Sequence, residues 1–344
     1  MKILAIETSC DETAAAVVDG RKVLGNAIYS QILIHKKWGG VVPSLAKKAH
    51  EERIDMVIED ALVKAKTKIA NIDAIAVTYG PGLAIALEVG ISKAKELAKK
   101  YNKKLIAVNH MEGHIYANFA QNSKGNPKRD LKFPYLVLLV SGGHTELVLW
   151  KSELRFKILG ETVDDAAGEA LDKAAKLLGL GYPGGPIIER IAGQVGNVDP
   201  YKFPRPMIKS EDLNFSFSGL KTSFYYFLKK IDEKEINKNL KELASSFQEA
   251  VFDSLLIKLE KAIKQTGVKK IVVGGGVISN QYLRSRLRSL VKKIDGEVIF
   301  PPQKYLCTDN AAMIGTAASF KAKHGIFVRD LSKLDRVPRL RLSS

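Results

Sequence analysis

Cysteine is almost missing from this sequence: Cys10 and Cys307 are the only two in 344 residues. Two thiols cannot make a disulfide framework, and their scarcity fits a reducing compartment, so the chain is expected to be cytoplasmic. Long apolar runs are missing as well. None approaches the ~20 residues that a membrane helix needs, and no signal or transit segment is expected ahead of the strand-like Ile3-Leu4-Ala5-Ile6. Low-complexity tracts are absent. None of the glycine or hydroxyl turns at 8–13, 141–145 and 274–280 matches G-x-x-x-x-G-K-[ST] or G-x-G-x-x-G, which argues against a P-loop or a dinucleotide-binding enzyme. Zinc-finger spacing and an aromatic RNA-reading strand are lacking too.

Acidic residues are in deficit. Lys and Arg number 54 against 37 Asp and Glu, a formal charge of +17. The excess is clustered at Lys99-Lys100 with Lys103-Lys104, at Lys124 with Lys128-Arg129, at Arg284/Arg286/Arg288, and in a tail with Arg329, Arg336, Arg339 and Arg341. Such a balance favours a polyanionic partner through counterion release and steering. A lysine-rich thermophilic proteome would give a similar surface without any such partner.

Apolar periodicity describes an α/β protein. Strands are expected at residues 2–8, Ala14–Val18, Lys22–Tyr29, Asp73–Thr78 and Leu105–Val108, with helices at Ser44–Lys66 and Ala84–Lys100. After a polar segment, Gln121–Lys132, the opening plan returns as strand Tyr135–Val140, turn Ser141–Thr145 and strand Glu146–Trp150. Further expectations are a helix at Asp165–Leu178, loops at Gly179–Pro186 and Tyr201–Pro206, and a long amphipathic helix near Asn239–Gln265. The strand Ile271–Val273, the turn Gly274–Gly276, a helix near Gln281–Lys293 and a last helix from Asp309 to about Lys323 follow. The last helix is expected to pack on the first half. The repeated strand–turn–strand plan suggests duplication, with lobes at 1–125 plus 310–344 and at 126–309.

Asn109-His110-Met111-Glu112-Gly113-His114 is the stretch with the most chemistry. In a helix, residues four apart lie on one face, where two imidazoles can share a metal ion. A zincin places its general base directly after the first histidine. Met111 holds that position, and Glu112 does not fit the inverted motif either. The reading is a metal pair without a protease's base; two unrelated histidines on a surface helix are the alternative. Glycine or hydroxyl turns follow buried strands at 8–13, 141–145 and 274–280, and such junctions can expose N–H groups to an anion. Asp11 and Glu12 put two carboxylates in the first turn, as a cation site, a base or plain solvated residues. Asp309 by itself reads as a helix cap. His144 is exposed or aimed at a ligand, while His35, His50 and His324 have surface-like surroundings.

Several stretches together resemble one family. They include Ile6-Glu7-Thr8-Ser9-Cys10-Asp11-Glu12-Thr13, Gly39-Gly40-Val41-Val42-Pro43, Tyr79-Gly80-Pro81-Gly82-Leu83, His110-Met111-Glu112-Gly113-His114 and Leu139-Val140-Ser141-Gly142-Gly143-His144-Thr145. Asp164 to Lys173, Tyr182 to Pro186, Phe203 to Pro206, Phe215 to Thr222 and Cys307-Thr308-Asp309-Asn310 continue the series. In order and along nearly the whole chain they resemble TsaD, the tRNA N6-adenosine threonylcarbamoyltransferases. The resemblance implies an actin-like ATPase fold, with two duplicated RNase-H-like domains around a nucleotide and metal cleft. It also implies transfer of threonylcarbamoyl from L-threonylcarbamoyl-adenylate to N6 of adenosine 37, in tRNAs reading codons that begin with A.

By matching positions, His110, His114 and Asp309 would hold one divalent metal, Fe²⁺ first and Zn²⁺ second. Leu139, Val140, Ser141, Gly142, Gly143, His144, Asp172, Gly185 and Asn280 would bind the adenylate, and Asp11 or Glu12 would take the amine proton. Leu139 stands where archaeal and eukaryotic members have tyrosine. With His144 it resembles the bacterial branch, so TsaB- and TsaE-like proteins are expected partners rather than the kinase-containing KEOPS complex. That branch tends to have glutamate where Ser44 stands. Competing readings are an ATP-dependent small-molecule kinase on the same fold and a non-catalytic scaffold.

Overall fold

The computed structural model describes residues 1–342. The chain divides into two compact units: residues 1–132, 152–156 and 300 onward form unit 1, and residues 133–151 with 157–299 form unit 2.

Unit 1 is built on a five-stranded mixed sheet. Its strands are β1 (Lys2–Glu7), β2 (Glu12–Asp19), β3 (Lys22–Ser30), β4 (Ala74–Gly80) and β5 (Lys104–Asn109), in the order β3-β2-β1-β4-β5. β1 to β3 pair antiparallel, while β4 and β5 continue the sheet parallel to β1. The central strand reads as an unbroken apolar run because helices cover both of its faces. Leu4 and Ile6 join Val57, Ile58, Leu87 and Ile91 in one buried cluster. These four come from the helices Pro43–Lys64 and Ala84–Lys100, which follow the one-turn helix α1 (Ile32–His35) as α2 and α3. Between β5 and the second unit lies α4 (His110–Tyr116).

Unit 2 repeats the plan. Its strands are β6 (Tyr135–Val140), β7 (Thr145–Ser152), β8 (Arg155–Glu161), β9 (Lys270–Gly274) and β10 (Glu297–Ile299), in the order β10-β9-β6-β7-β8. With β6 to β10 standing for β1 to β5, the two orders are identical, and here too the first hairpin is antiparallel and the later pairings parallel. The helices are α5 (Ala167–Leu177), α6 (Gly184–Gly193), α7 (Ser218–Leu228), α8 (Glu233–Lys238), α9 (Leu240–Thr266) and α10 (Gln281–Lys293).

The chain then returns to unit 1 as α11 (Ala311–Lys323), which packs on β1, β2 and α4. Alternation along β1 turns Ile3 and Ala5 to the face opposite Leu4 and Ile6. A Cβ on Gly315 of α11 would lie 2.8 Å from Val18 and 3.3 Å from Ala5, so this glycine lets the helix backbone lie close on the sheet.

Several elements depart from the pattern-based expectations. The loop expected at Gly179–Pro186 gives way to α6 from Gly184 onward, because proline is tolerated in a first helical turn. Strand β8 and helices α7 and α8 were not expected at all. Glu12, expected in a turn, is the first residue of β2. His35 and His50, expected at the surface, are wholly buried. No helix among the described residues is long and apolar enough to cross a membrane.

Gly25 gives a direct test of the packing of α2 on β3. A Cβ there would fall 2.3 Å from Ala61 O and 2.6 Å from Ala65 N, both backbone atoms. Gly25→Ala is expected to destabilise the protein by about 1–3 kcal/mol through overpacking, read from urea unfolding. An unchanged midpoint would show that α2 can move away freely.

Candidate metal centre and glycine turns

Helix α4 starts where it does because Asn109 caps it. The Asn109 side-chain oxygen accepts the Met111 N–H at 2.8 Å and the Glu112 N–H at 3.4 Å, satisfying two otherwise unpartnered donors of the first turn. His110 and His114 then fall one turn apart on the same face, with ring centroids 4.7 Å apart and edge to face. Asp309 approaches them from the loop before α11. The cap of that helix is Asn310, which accepts the Met313 N–H at 2.9 Å, so the aspartate is not the cap that it resembles in isolation. Asp309 Oδ1 is 3.4 Å from His110 Nε2 and 3.3 Å from His114 Nε2. One ligand atom from each of the three residues lies within 4.8 Å of the others.

The surroundings suit a cation. His114 is fully buried, yet neither ring nitrogen makes a hydrogen bond; the Asp309 contact is not aligned for one. A buried imidazole without a partner is costly unless something else engages it. Two nitrogens and a carboxylate oxygen are a suitable donor set for a divalent transition metal.

Behind His110 stands Glu7, wholly buried. Glu7 Oε2 accepts from Thr78 Oγ1 at 2.6 Å and from His110 Nδ1 at 3.0 Å, and Glu7 Oε1 accepts the Ser9 N–H. An ionised carboxylate can only accept, so Nδ1 carries the hydrogen and Nε2 is the nitrogen turned to Asp309. Glu112 is engaged elsewhere: its carboxylate pairs with Lys321 of α11 at 3.0 Å.

The charges are strongly interdependent. Burial would raise the Asp309 carboxyl, but the facing His110 imidazole holds it far below the usual carboxylate range. Glu7 is likewise lowered by His110 against the effect of burial. Burial lowers His110, and the opposing attraction of Asp309 and Glu7 raises it well above the ordinary histidine value. His114 stays lowered, chiefly by burial.

Asp11 is buried close by. Glu12 is pushed well above the usual range, first by burial and then by the charges of Asp11 and Asp309; Ser30 Oγ lies 3.4 Å from it. His35 and His50, which sequence reasoning set aside, form the support beneath this segment. His50 Nδ1 meets Thr13 Oγ1 at 2.7 Å, His50 Nε2 meets Cys10 O at 3.0 Å, and Gln31 joins His50 to His35 at 3.3 and 3.0 Å. Burial lowers both rings. No spacing in the sequence announces this lattice, because its partners come from the start of α1, from α2, from β2 and from the β1–β2 turn.

In unit 2 Leu139 to His144 lie at the end of β6 and Asn280 just beyond the β9 turn, while Asp172 and Gly185 lie in α5 and α6. Leu139 and Val140 are wholly buried in β6, where they pair with β7 and, at Leu139, with β9. The Ser141 N–H donates to His144 O at 2.8 Å, and the His144 N–H to Ser141 Oγ at 3.1 Å. Among the described residues this leaves the exposed Gly142 and Gly143 as the donors of the turn. A Cβ on Gly275 would lie 2.4 Å from Val140 O, and one on Gly168 2.6 Å from Ser141 O, so this turn, the β9 turn and the start of α5 abut. Asp172 Oδ1 accepts the N–H groups of Gly184 at 2.7 Å and Gly185 at 3.2 Å, holding the start of α6. Asn280 caps α10 through the Leu283 N–H at 2.9 Å and donates to Gln248 at 3.1 Å. Both polar side chains therefore already fix helix starts.

The duplicated mixed sheets have counterparts among solved structures. HypF from T. kodakarensis superposes with a TM-score of 0.63 at 14% identity, over 94% of this chain and 48% of that one. The activator of the 2-hydroxyisocaproyl-CoA dehydratase from Clostridium difficile, solved with bound ADPNP, gives 0.53 at 14% identity over 94% and 97%. The chain has the actin-like ATPase fold. Closer similarity is at the level of sequence. The family model described as TsaD, tRNA N6-adenosine threonylcarbamoyltransferase, matches residues 22–316, and the chain belongs to that family. Relatives named tRNA N6-adenosine threonylcarbamoyltransferase are 51% identical in Kosmotoga olearia, over 95% of both chains, and 50% identical in Clostridium beijerinckii, over 99% of this chain and 98% of that one.

Two outcomes follow from the His110 surroundings. Glu7→Gln is expected to lower metal retention roughly 10- to 100-fold, as loss of a ligand-orienting carboxylate does, measured by competition with a chromogenic chelator. Undiminished retention would mean that Glu7 does not orient the ring. In chelator-treated protein, the raised folded pKa of His110 makes its stabilisation complete below the unfolded value near ~6.5 and lost as pH climbs through the folded one. The Tm of the stripped protein should therefore fall on the alkaline side more steeply than that of His110→Gln; parallel profiles would contradict the arrangement.

Proposed function

We propose that the protein transfers the threonylcarbamoyl group of L-threonylcarbamoyl-adenylate to N6 of adenosine 37, in tRNAs that read codons beginning with A. The convergence of His110, His114 and Asp309 carries the reading, together with membership of the TsaD family. These three residues would hold one divalent metal, Fe²⁺ before Zn²⁺. When bound, it supplies Lewis-acid polarisation of a substrate oxygen. A kinase for small molecules on the same fold has no use for such a triad.

The donor is a mixed anhydride, so its carbonyl is already activated. The adenosine amine forms a C–N bond at the carbamoyl carbon, the C–O bond to phosphate breaks, and AMP leaves with the electron pair. The protein's task is to hold the adenylate, direct the weak amine and accept its proton. In unit 2 the Gly142 and Gly143 N–H groups would face phosphate or carbonyl charge, while Asp172 fixes the Gly184–Gly185 backbone and Asn280 the start of α10. Leu139, Val140 and His144 complete the adenylate site. In unit 1, Asp11 or Glu12 would accept the amine proton; burial and the charges of Asp11 and Asp309 raise the Glu12 carboxyl. TsaB- and TsaE-like proteins are the proposed partners and the cytoplasm the proposed location.

The test is to supply threonylcarbamoyl-adenylate and unmodified tRNA, with and without TsaB- and TsaE-like proteins, and to analyse digested nucleosides by mass spectrometry. His110→Ala is expected to lower transfer by roughly 100-fold or more with the fold intact by circular dichroism. Full transfer by that variant after metal stripping would remove the metal from the chemistry.

A further inference from the structure

The β1–β2 turn, residues 8–11, is held by three successive carbonyls. Ser9 O accepts the Leu83 N–H at 2.8 Å, Cys10 O meets His50 Nε2 at 3.0 Å, and Asp11 O accepts the Gln31 N–H at 2.9 Å. The outer two ties run from backbone to backbone. The middle one alone depends on a side chain, and it lies directly before Asp11 and Glu12.

His50 ends a series of hydrogen bonds that can run only one way. The Val42 N–H, at the start of α2, can only donate, so His35 Nδ1, 3.3 Å away, accepts. Burial lowers both rings and so favours their neutral form. The His35 hydrogen is then on Nε2, which donates to Gln31 Oε1 at 3.0 Å. That turns the Gln31 amide nitrogen to Ala46 O at 3.4 Å and to His50 Nδ1 at 3.3 Å. Nδ1 accepts there and from Thr13 Oγ1 at 2.7 Å, which leaves the His50 hydrogen on Nε2, facing Cys10 O. A carbonyl can only accept, so the far end of the series agrees with the near one. Thr13, Gln31, His35 and His50 are all wholly buried, where a lost partner is costly.

We propose that His50 is a positioning residue for acyl transfer. Its Nε2–H fixes the Cys10 carbonyl, and with it the backbone that carries Asp11 and Glu12, in the setting from which a carboxylate takes the amine proton. Gln31 and His35 fix the tautomer that allows this. Being wholly buried, His50 acts through the turn and not on substrate. The inference rests on the acyl-transfer reading and adds to it the side chain that seats the proton acceptor. A misplacement of about 1 Å caused far from the reacting atoms can cost ~100-fold in rate.

Two substitutions separate the contacts of the ring. Glutamine sets an N–H donor about where Nε2 lies, whereas asparagine keeps its polar atoms near Nδ1 and falls short of Cys10 O. His50→Asn is expected to lower kcat for transfer roughly 10- to 100-fold, with KM for tRNA, KM for the adenylate and metal content at the parent values. His50→Gln should recover most of kcat. A parent-like kcat in His50→Asn, an equal loss in a folded His50→Gln, or a change in KM in place of kcat would each overturn the proposal. Nitrogen NMR of isotope-labelled histidine in the parent protein needs no variant. It should show His35 and His50 as Nε2–H tautomers at neutral pH, and an Nδ1–H or doubly protonated His50 would overturn the arrangement. Absence of nucleoside product from the parent protein would overturn the acyl-transfer reading, and with it the role in transfer, whereas the tautomers are read independently of it.

Discussion

His110 lies between two carboxylates, the wholly buried Glu7 and the half-buried Asp309, and much of unit 1 serves to hold that position. Glu7 comes from the last residue of the central strand, Asp309 from the loop before the returning helix, and the imidazole from a helix capped by Asn109. Burying a carboxylate is unfavourable unless it is paired and hydrogen-bonded. Glu7 meets that condition with Thr78 on β4, the Ser9 backbone and His110. The same contacts that stabilise the charge therefore fix the ring nitrogen that faces Asp309. Moving β4 relative to β1 would disturb both at once.

The two units solve different problems with one strand order. In unit 1 the end of β1 leads into carboxylates, with histidines beneath them. In unit 2 the corresponding end of β6 leads into glycines, with the β9 turn and the start of α5 against it. Side-chain donors suit a cation and bare N–H groups suit an anion. Each unit thus offers chemistry of one sign.

How much of this was legible in the sequence depends on whether the signal was local. β6 and α10 have the expected bounds because an apolar run between turn residues and a strongly amphipathic stretch are each complete within their own window. The H-x-x-x-H pair declares its shared helical face for the same reason. Asp309 is different: its local surroundings spell a helix cap, and only the tertiary structure shows that Asn310 takes that duty and frees the aspartate for the histidines. The burial of His35 and His50 was illegible because it is defined by Gln31, Thr13 and the Cys10 carbonyl, which converge only after β1, β2 and α2 have packed. Helix α6 was hidden by Gly184-Gly185-Pro186, a run that reads as loop until the Asp172 carboxylate is seen to hold its first N–H groups. His144 and Asn280 belong to the same lesson, since their bonds close turns inside unit 2.

The return of α11 to the first sheet has a consequence for biosynthesis. β1 to β5 emerge from the ribosome early, but the helix that covers one face of that sheet, and the carboxylate that meets the two histidines, are made only after the intervening unit has been translated. Until then the nascent sheet shows an apolar side to solvent or to a chaperone, and His110 and His114 lack the carboxylate that meets them. Completion of the His110–His114–Asp309 cluster is thereby deferred to a late stage of translation, by which time domains ordinarily fold as units.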